Sequence, residues 1–511
     1  MVFGRLLGNK QRKTVFLGSP EAEAEATSNS RMPLAEVYED FHDLLDGLSG
    51  EKFIVIGRKG SGKSAFGEYV YARSLGEANL RCDFIRKSDS NLELAVQLGQ
   101  EAGLAIDSES FFRWVIYTNL LRMFVDHPAI SESKDYFLLR GFLDKNSGYI
   151  KVNELEIKQL VSKHGFDVAV EQFRRFMSAK FNKQVEIKSE RAPYYKLLVH
   201  LEDLLVRLLK SEANVANENS FVLFFDDLDI GFDSSNQASV QTLVSLLRAC
   251  RHVNNDVFGK NAIQAKAIVL LRDDIESFLA GREADTAKLF ASYSSRINWY
   301  QEEYAGHPRD EDELNLKKFI TRRITYALER SGMPCGKDAW RSLVDDSHQY
   351  EKTSFKYIVN QTLFRPRDLL LFFLPLDSRQ FSYPLTYADV RTLIDSYSEE
   401  LAKEIKSELS SFYTSTEVET IFRALGGLTS SNRTHEQAVE VVQENCKDVD
   451  PALLLDYLFD RSLIGTVDDR GWYTFKCRQS AYSSAQLSLD PRQRIVVQYG
   501  IRTYLKTRRY V

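Results

Sequence analysis

The feature that most constrains this chain is the octapeptide Gly57-Arg58-Lys59-Gly60-Ser61-Gly62-Lys63-Ser64. It satisfies the spacing G-x-x-x-x-G-K-[ST], and the apolar run Phe53-Ile54-Val55-Ile56 leads into it. The residues that follow, Ala65 to Arg73, read as a helix. Strand, glycine loop and helix in that order are the setting in which such a loop cradles phosphate. Glycine lets the backbone turn so that successive N–H groups converge on phosphate oxygens, and the helix start adds its positive dipole end. The spacing therefore predicts a triphosphate cradle from Gly57, Arg58, Lys59, Gly60, Ser61, Gly62, Lys63, Ser64 and Ala65. Lys63 is expected on the β- and γ-phosphates and the Ser64 hydroxyl on Mg²⁺.

A second anchor is Phe221-Val222-Leu223-Phe224-Phe225-Asp226-Asp227-Leu228-Asp229. An apolar run without alternation fits a central parallel strand buried on both faces. Carboxylates at its end fall where open α/β sheets bind ligands. Asp226 is expected to hold the metal opposite Ser64, and Asp227 to orient or deprotonate the attacking water, with Asp229 as its rival. A further buried strand, Ala267 to Leu271, ends in Arg272-Asp273-Asp274. Arg272 either senses the terminal phosphate or pairs with a neighbouring Asp. Arg296, in Ser294-Ser295-Arg296-Ile297-Asn298-Trp299-Tyr300, reads as an arginine finger reaching a neighbouring subunit or as a surface residue. In Phe364-Arg365-Pro366-Arg367-Asp368-Leu369-Leu370, Pro366 opens a helix and Arg367 projects from its first turn. There Arg367 either lies over the nucleotide or forms a surface pair.

A chain of 511 residues exceeds one ordinary core, so several domains are expected. Residues 1–32 read as a solvated or loosely docked tail, basic first and then acidic, and 33–48 as one amphipathic helix. The core spans 33–300, with an inserted helical subdomain over about 105–218 carrying helices near 150–163, 166–180 and 192–210. Residues 301–405 form a helical lid. Residues 406–511 combine three helices with a hairpin (Ser462–Val467 and Gly471–Cys477), a winged-helix pattern. Its third helix, 450–460, contains no base, so protein docking or self-packing is favoured there over DNA contact. Basic residues collect instead near the end, at Arg492, Arg494, Arg502, Lys506, Arg508 and Arg509.

The net charge of −5 argues against a general nucleic-acid coat. Five scattered cysteines without a paired spacing exclude a legible zinc site or disulfide framework and fit a reducing compartment. No apolar run reaches the ~18 residues of a membrane span. A cytoplasmic protein is expected, with no membrane partner.

Taken together these motifs resemble bacterial P-loop ATPases of the AAA+ class, in the group bordering its KAP, STAND and origin-recognition branches. The resemblance implies an α/β P-loop NTPase sheet with helical insertion, helical lid and C-terminal winged helix. It further implies ATP and Mg²⁺ as cofactors, Arg296 as finger, Arg367 as lid sensor, and nucleotide-dependent homo-oligomeric assembly with a protein effector, in settings that include defence against phage. Three departures qualify it. The Glu usual after the metal-binding Asp is Asp227, Arg272 stands where Asn or Thr is common, and the insertion lacks the membrane helices of KAP proteins. The expected activity is thus slow ATP hydrolysis driving a conformational switch. Its rivals are a DNA-binding loader or sensor and an ATP-bound scaffold that does not hydrolyse.

Overall fold

The computed structural model describes residues 13–86, 108–127, 134–146, 173–181, 193–227, 232–282, 284–302, 308–346, 353–429, 432–480, 487–508 and 510. These form two compact units. The sheet unit comprises Asp43–Arg58 and Phe66–Arg296; the helical unit comprises Met1–His42, Lys59–Ala65 and Ile297–Val511.

The sheet unit is α/β. Its strands β1 (Ile54–Gly57), β2 (Leu80–Arg86), β3 (Ser220–Asp226), β4 (Ala265–Arg272) and β5 (Ser294–Arg296) are all parallel, in the order β2-β3-β4-β1-β5. The inner strands carry unbroken apolar runs because both faces are covered, and Ile54, Leu223, Phe224 and Val269 are fully buried. The edge strand β5 is only Ser294-Ser295-Arg296, a run with no strand signature; its register with Ile54–Ile56 holds it in place. The inserted helix Ser108–Val125 is buried almost all round, as expected, and lays Phe124 against Phe221 of β3 at a ring distance of 6.3 Å. This part of the insertion is thus a layer on the sheet rather than a separate subdomain. The helix expected near 150–163 and the start of that near 166–180 lie outside the described residues; 173–181 and Pro193–Leu209 are helical.

The helix Gln237–Arg251 continues as a π-helical turn, His252–Gly259. The turn presents Asn254 to the backbone of β4, taking the Ala267 N–H at 2.9 Å and giving to the Ala267 carbonyl at 2.8 Å. In a parallel ladder alternate residues bond to the same neighbour, and Val269 already bonds to Phe53. Asn254 therefore substitutes for β1 where β1 has not yet begun.

Nearby, Lys266 donates to the carbonyls of Gly47 and Gly50. Burial pushes its ammonium down from the ordinary 10.5 to about 8. A lysine with a depressed folded pKa destabilises the native state while charged, and that cost disappears as it deprotonates. The midpoint of urea unfolding should therefore rise in wild type relative to Lys266→Met between pH 8 and 10. A flat difference across that window would remove the assignment.

The helical unit has one continuous apolar core running from Val15 and Leu17 through the helices of 315–409 to Ile501 and Leu505. Residues 13–32, part of the stretch 1–32 expected as a solvated or loosely docked tail, are instead tied into this core through Val15, Leu17 and Met32. Lys13 pairs with Phe381 through both backbone groups, and buried Glu25 meets buried Arg323 at 2.6 Å. Nor is 33–48 a single helix. Leu34–Val37 and Leu44–Ser49 are separate short helices, and between them Phe41 and His42 turn out to pack on Trp299 at ring distances of 5.4 and 5.0 Å. The helices Asn315–Arg330, Ala339–Leu343, Ser354–Val359 and Pro366–Phe373 lead to the long helix Tyr387–Leu409, which runs through the expected 405/406 boundary. Ser415–Gly427, His435–Asn445 and Pro451–Asp460 follow, close to their expected bounds. The hairpin β6 (Ile464–Val467) and β7 (Tyr473–Thr474) is joined by β8 (Arg494–Val497), which pairs antiparallel with β6. Neither β8 nor the final helix Tyr499–Thr507 was legible in the sequence.

Candidate functional site

In the sheet unit, parallel pairing sets the carboxyl ends of all five strands along one edge. That edge carries Gly57 and Arg58 at the exit of β1, Asp226 and Asp227 at the end of β3, Arg272 at the end of β4, and Arg296 at the end of β5. Gly57 stands opposite Arg272 in the register, and Ile56 opposite Arg296. Such an edge is where ligands bind in open α/β sheets.

Asp226 is buried at 3% exposure, and its Oδ1 accepts the Asp227 N–H at 2.9 Å. Asp227 adopts a left-handed backbone, φ +56°, at a cost of about 1 kcal/mol or more for a residue with a Cβ. Asp229 lies outside the described residues. Arg272 is buried and held by Asp274, with Nε on Oδ1 at 3.0 Å and Nη2 on Oδ2. The expected ion pair with a neighbouring Asp is present. Arg296 is half exposed and pairs with Glu276 at 2.8 Å.

The glycine-loop residues Lys59–Ala65 belong to the helical unit. The helix they open, Lys63–Gly76, includes Lys63, Ser64 and Ala65 in its first turn. Gly60 and Gly62 take φ values of +77° and +101°, which only glycine adopts readily. A Cβ on Gly60 would strike the Arg367 side chain at 2.9 Å, whereas one on Gly62 would meet nothing within 4 Å. The Ser61 hydroxyl oxygen is buried without a hydrogen-bond partner. An unsatisfied buried hydroxyl in an open glycine loop is the arrangement a phosphate oxygen would complete.

The loop's carbonyls are satisfied from outside. Lys59 O accepts from Arg365 Nη1 at 2.9 Å, Gly60 O from the Arg367 N–H at 3.4 Å, and Ser61 O from Trp299 Nε1 at 2.8 Å. The Lys59 ammonium donates to the Ser407 hydroxyl at 2.8 Å. Arg367, expected above a nucleotide, is bound to the Pro20 carbonyl, Glu21 and Glu404. Its place in the first turn of Pro366–Phe373 is as expected; its partners are the N-terminal segment and the long helix.

Arg365, two residues earlier and just before the helix, was not singled out by the sequence. It is fully buried and grips Asp368 and Glu408, the latter at 2.6 Å. Burial opposes its charge, but the two carboxylates outweigh this and hold its pKa above the ordinary arginine value. Asp368 in turn accepts the Leu363 N–H at 2.9 Å. The available signal was Asp368 three residues after Arg365, at helix-capping distance.

Among the described residues no helix is long and apolar enough to cross a membrane. Residues 314–406 match the FunZ-associated C-terminal helical domain, a stretch that covers the helices from Asn315–Arg330 to Pro375–Ser378 and most of the long helix. No curated protein matches the chain. Among solved structures, the chain is similar to the Aeropyrum pernix ORC2 protein in its ADPNP–ADP complexes, at 10% identity and a TM-score of 0.37, covering 98% of this chain and 97% of that one. At that likeness the fold rests on this chain's own strands.

Proposed function

We propose that this protein is an ATP-binding, AAA+/STAND-like P-loop ATPase that works as a nucleotide-dependent switch. The observation that carries the reading is the phosphate loop itself, with Gly60 and Gly62 at positive φ and Ser61 Oγ buried without a partner, following a buried parallel strand. In this reading Lys63 and the loop N–H groups bind the phosphates. Ser64 and Asp226 would hold Mg²⁺, which when bound neutralises charge on the β- and γ-phosphates. Asp227 orients the attacking water and accepts its proton, and Arg296 serves a neighbouring copy. Catalysis is positioning and charge stabilisation, so the left-handed Asp227 and its short side chain support slow turnover.

The setting we attach to this switch is a homo-oligomeric cytoplasmic assembly with a protein effector, in defence against phage. The match to a FunZ-associated domain is compatible with a partner-linked role and carries it no further. The C-terminal module, read as a winged helix, is assigned to packing rather than DNA. Its third helix bears no base, while Arg492 and Arg508 are engaged by Asp490 and Glu399.

Asp227→Ala should retain ATP binding and lose phosphate release by at least a hundredfold, measured in single-turnover assays with [γ-³²P]ATP. Wild-type protein that binds ATP and releases no phosphate would identify the non-hydrolysing scaffold instead.

A further inference from the structure

We infer that Arg365 and Trp299 are positioning residues for the phosphate loop, acting on its backbone rather than on the ligand. The inference rests on the nucleotide-binding reading above. The peptide unit is planar and trans, so the carbonyl of one residue and the N–H of the next point in opposite directions. Fixing the carbonyls of Lys59, Gly60 and Ser61 therefore fixes the N–H groups of Gly60, Ser61 and Gly62. Those carbonyls are held by Arg365 Nη1 at 2.9 Å, the Arg367 N–H at 3.4 Å and Trp299 Nε1 at 2.8 Å. Two of the three donors are side chains from outside the loop, so the direction of the phosphate-binding amides is set by the helical unit.

Both anchors are themselves restrained. Arg365 is clamped between Asp368 and Glu408, and the Trp299 ring packs against Phe41, His42 and Phe319. Glu408 lies on the helix Tyr387–Leu409, whose Ser398 hydroxyl accepts the Tyr504 N–H at 2.9 Å. Buried Gln498 donates to the Thr362 carbonyl at 2.7 Å, three residues before Arg365. The C-terminal module is thus connected to the loop amides through Arg365. Movement of that module changes the aim of the amides, and phosphate bound to the amides resists the movement.

The test uses the full chain. Trp299→Phe keeps the ring and removes the donor; Arg365→Lys keeps the charge and removes the fork. ATP and ADP affinities with Mg²⁺ are measured by calorimetry, amide hydrogen exchange is read at residues 60–62, and unfolding midpoints are recorded. Trp299→Phe should weaken ATP binding about tenfold and quicken exchange at Gly60–Gly62, with the unfolding midpoint little changed. A residue that only packs would shift the midpoint and leave local exchange alone. If Arg365→Lys does not fold, Trp299→Phe decides. Wild type that binds no ATP would overturn the proposed function. Wild type that binds, with a Trp299→Phe variant indistinguishable in affinity and exchange, would overturn this inference and leave the function standing.

Discussion

Lys63→Ala protein should bind ATP at least a hundredfold more weakly than wild type while remaining folded. The ammonium at the first turn of Lys63–Gly76 is the loop's point charge toward the β- and γ-phosphates in the proposed site. Two charge-assisted hydrogen bonds at about 1.5 kcal/mol each account for a loss of that size. Lys63 lies in no apolar core, so circular dichroism and the unfolding midpoint should stay near wild type. Calorimetric titration with ATP and Mg²⁺ reads the effect directly. A folded variant with undiminished affinity would remove the phosphate-loop reading and every role derived from it.

Arg365→Met should lower the unfolding free energy by about 3–5 kcal/mol, because it strands two buried carboxylates. Asp368 and Glu408 are 0% and 4% exposed, and their guanidinium partner is the charge that makes their burial tolerable. The lost bond to Lys59 O adds an unsatisfied carbonyl. Urea unfolding, followed by helical signal, measures the change. A loss below about 1 kcal/mol would mean that the carboxylates are hydrated or protonated without cost, contrary to the geometry. Because Arg365 also aims the loop, its affinity for ATP should fall in whatever fraction remains folded.

The strands β1, β3 and β4 were legible because central parallel strands write burial as unbroken apolar runs, and the loop because few sequences place two glycines and Lys-Ser at that spacing. β5 was not, since three residues held by pairing to Ile54–Ile56 need no pattern of their own. The N-terminal segment looked like a tail because its basic first half and the Glu-Ala run 21–26 outweigh the short apolar stretch Val15-Phe16-Leu17. The backbone partners of Lys13 and Val15, Phe381 and Leu376, lie hundreds of positions away and only the fold brings them close. Arg365 and Arg367 differ in their surroundings for a local reason. Arg365 is the extended residue before the helix, φ −120° and ψ 147°, so its side chain turns inward to Asp368. Arg367, inside the first turn, remains at the rim and meets Pro20, Glu21 and Glu404. The extended backbone just before the helix therefore separates a buried clamp from an arginine at the rim.

The unbroken core of the helical unit limits how the terminal module can be dissected. Cutting at residue 406 would sever Tyr387–Leu409 before its last turn and uncover Leu401 and Ile405, which are buried against the rest. Such a deletion abandons the Glu408 grip on Arg365 as well. A fragment lacking 406–511 would therefore report misfolding, whatever binding it was meant to probe. Surface substitutions at Arg494 and Lys506, exposed and outside that core, are the gentler instrument for asking whether this end of the molecule touches DNA.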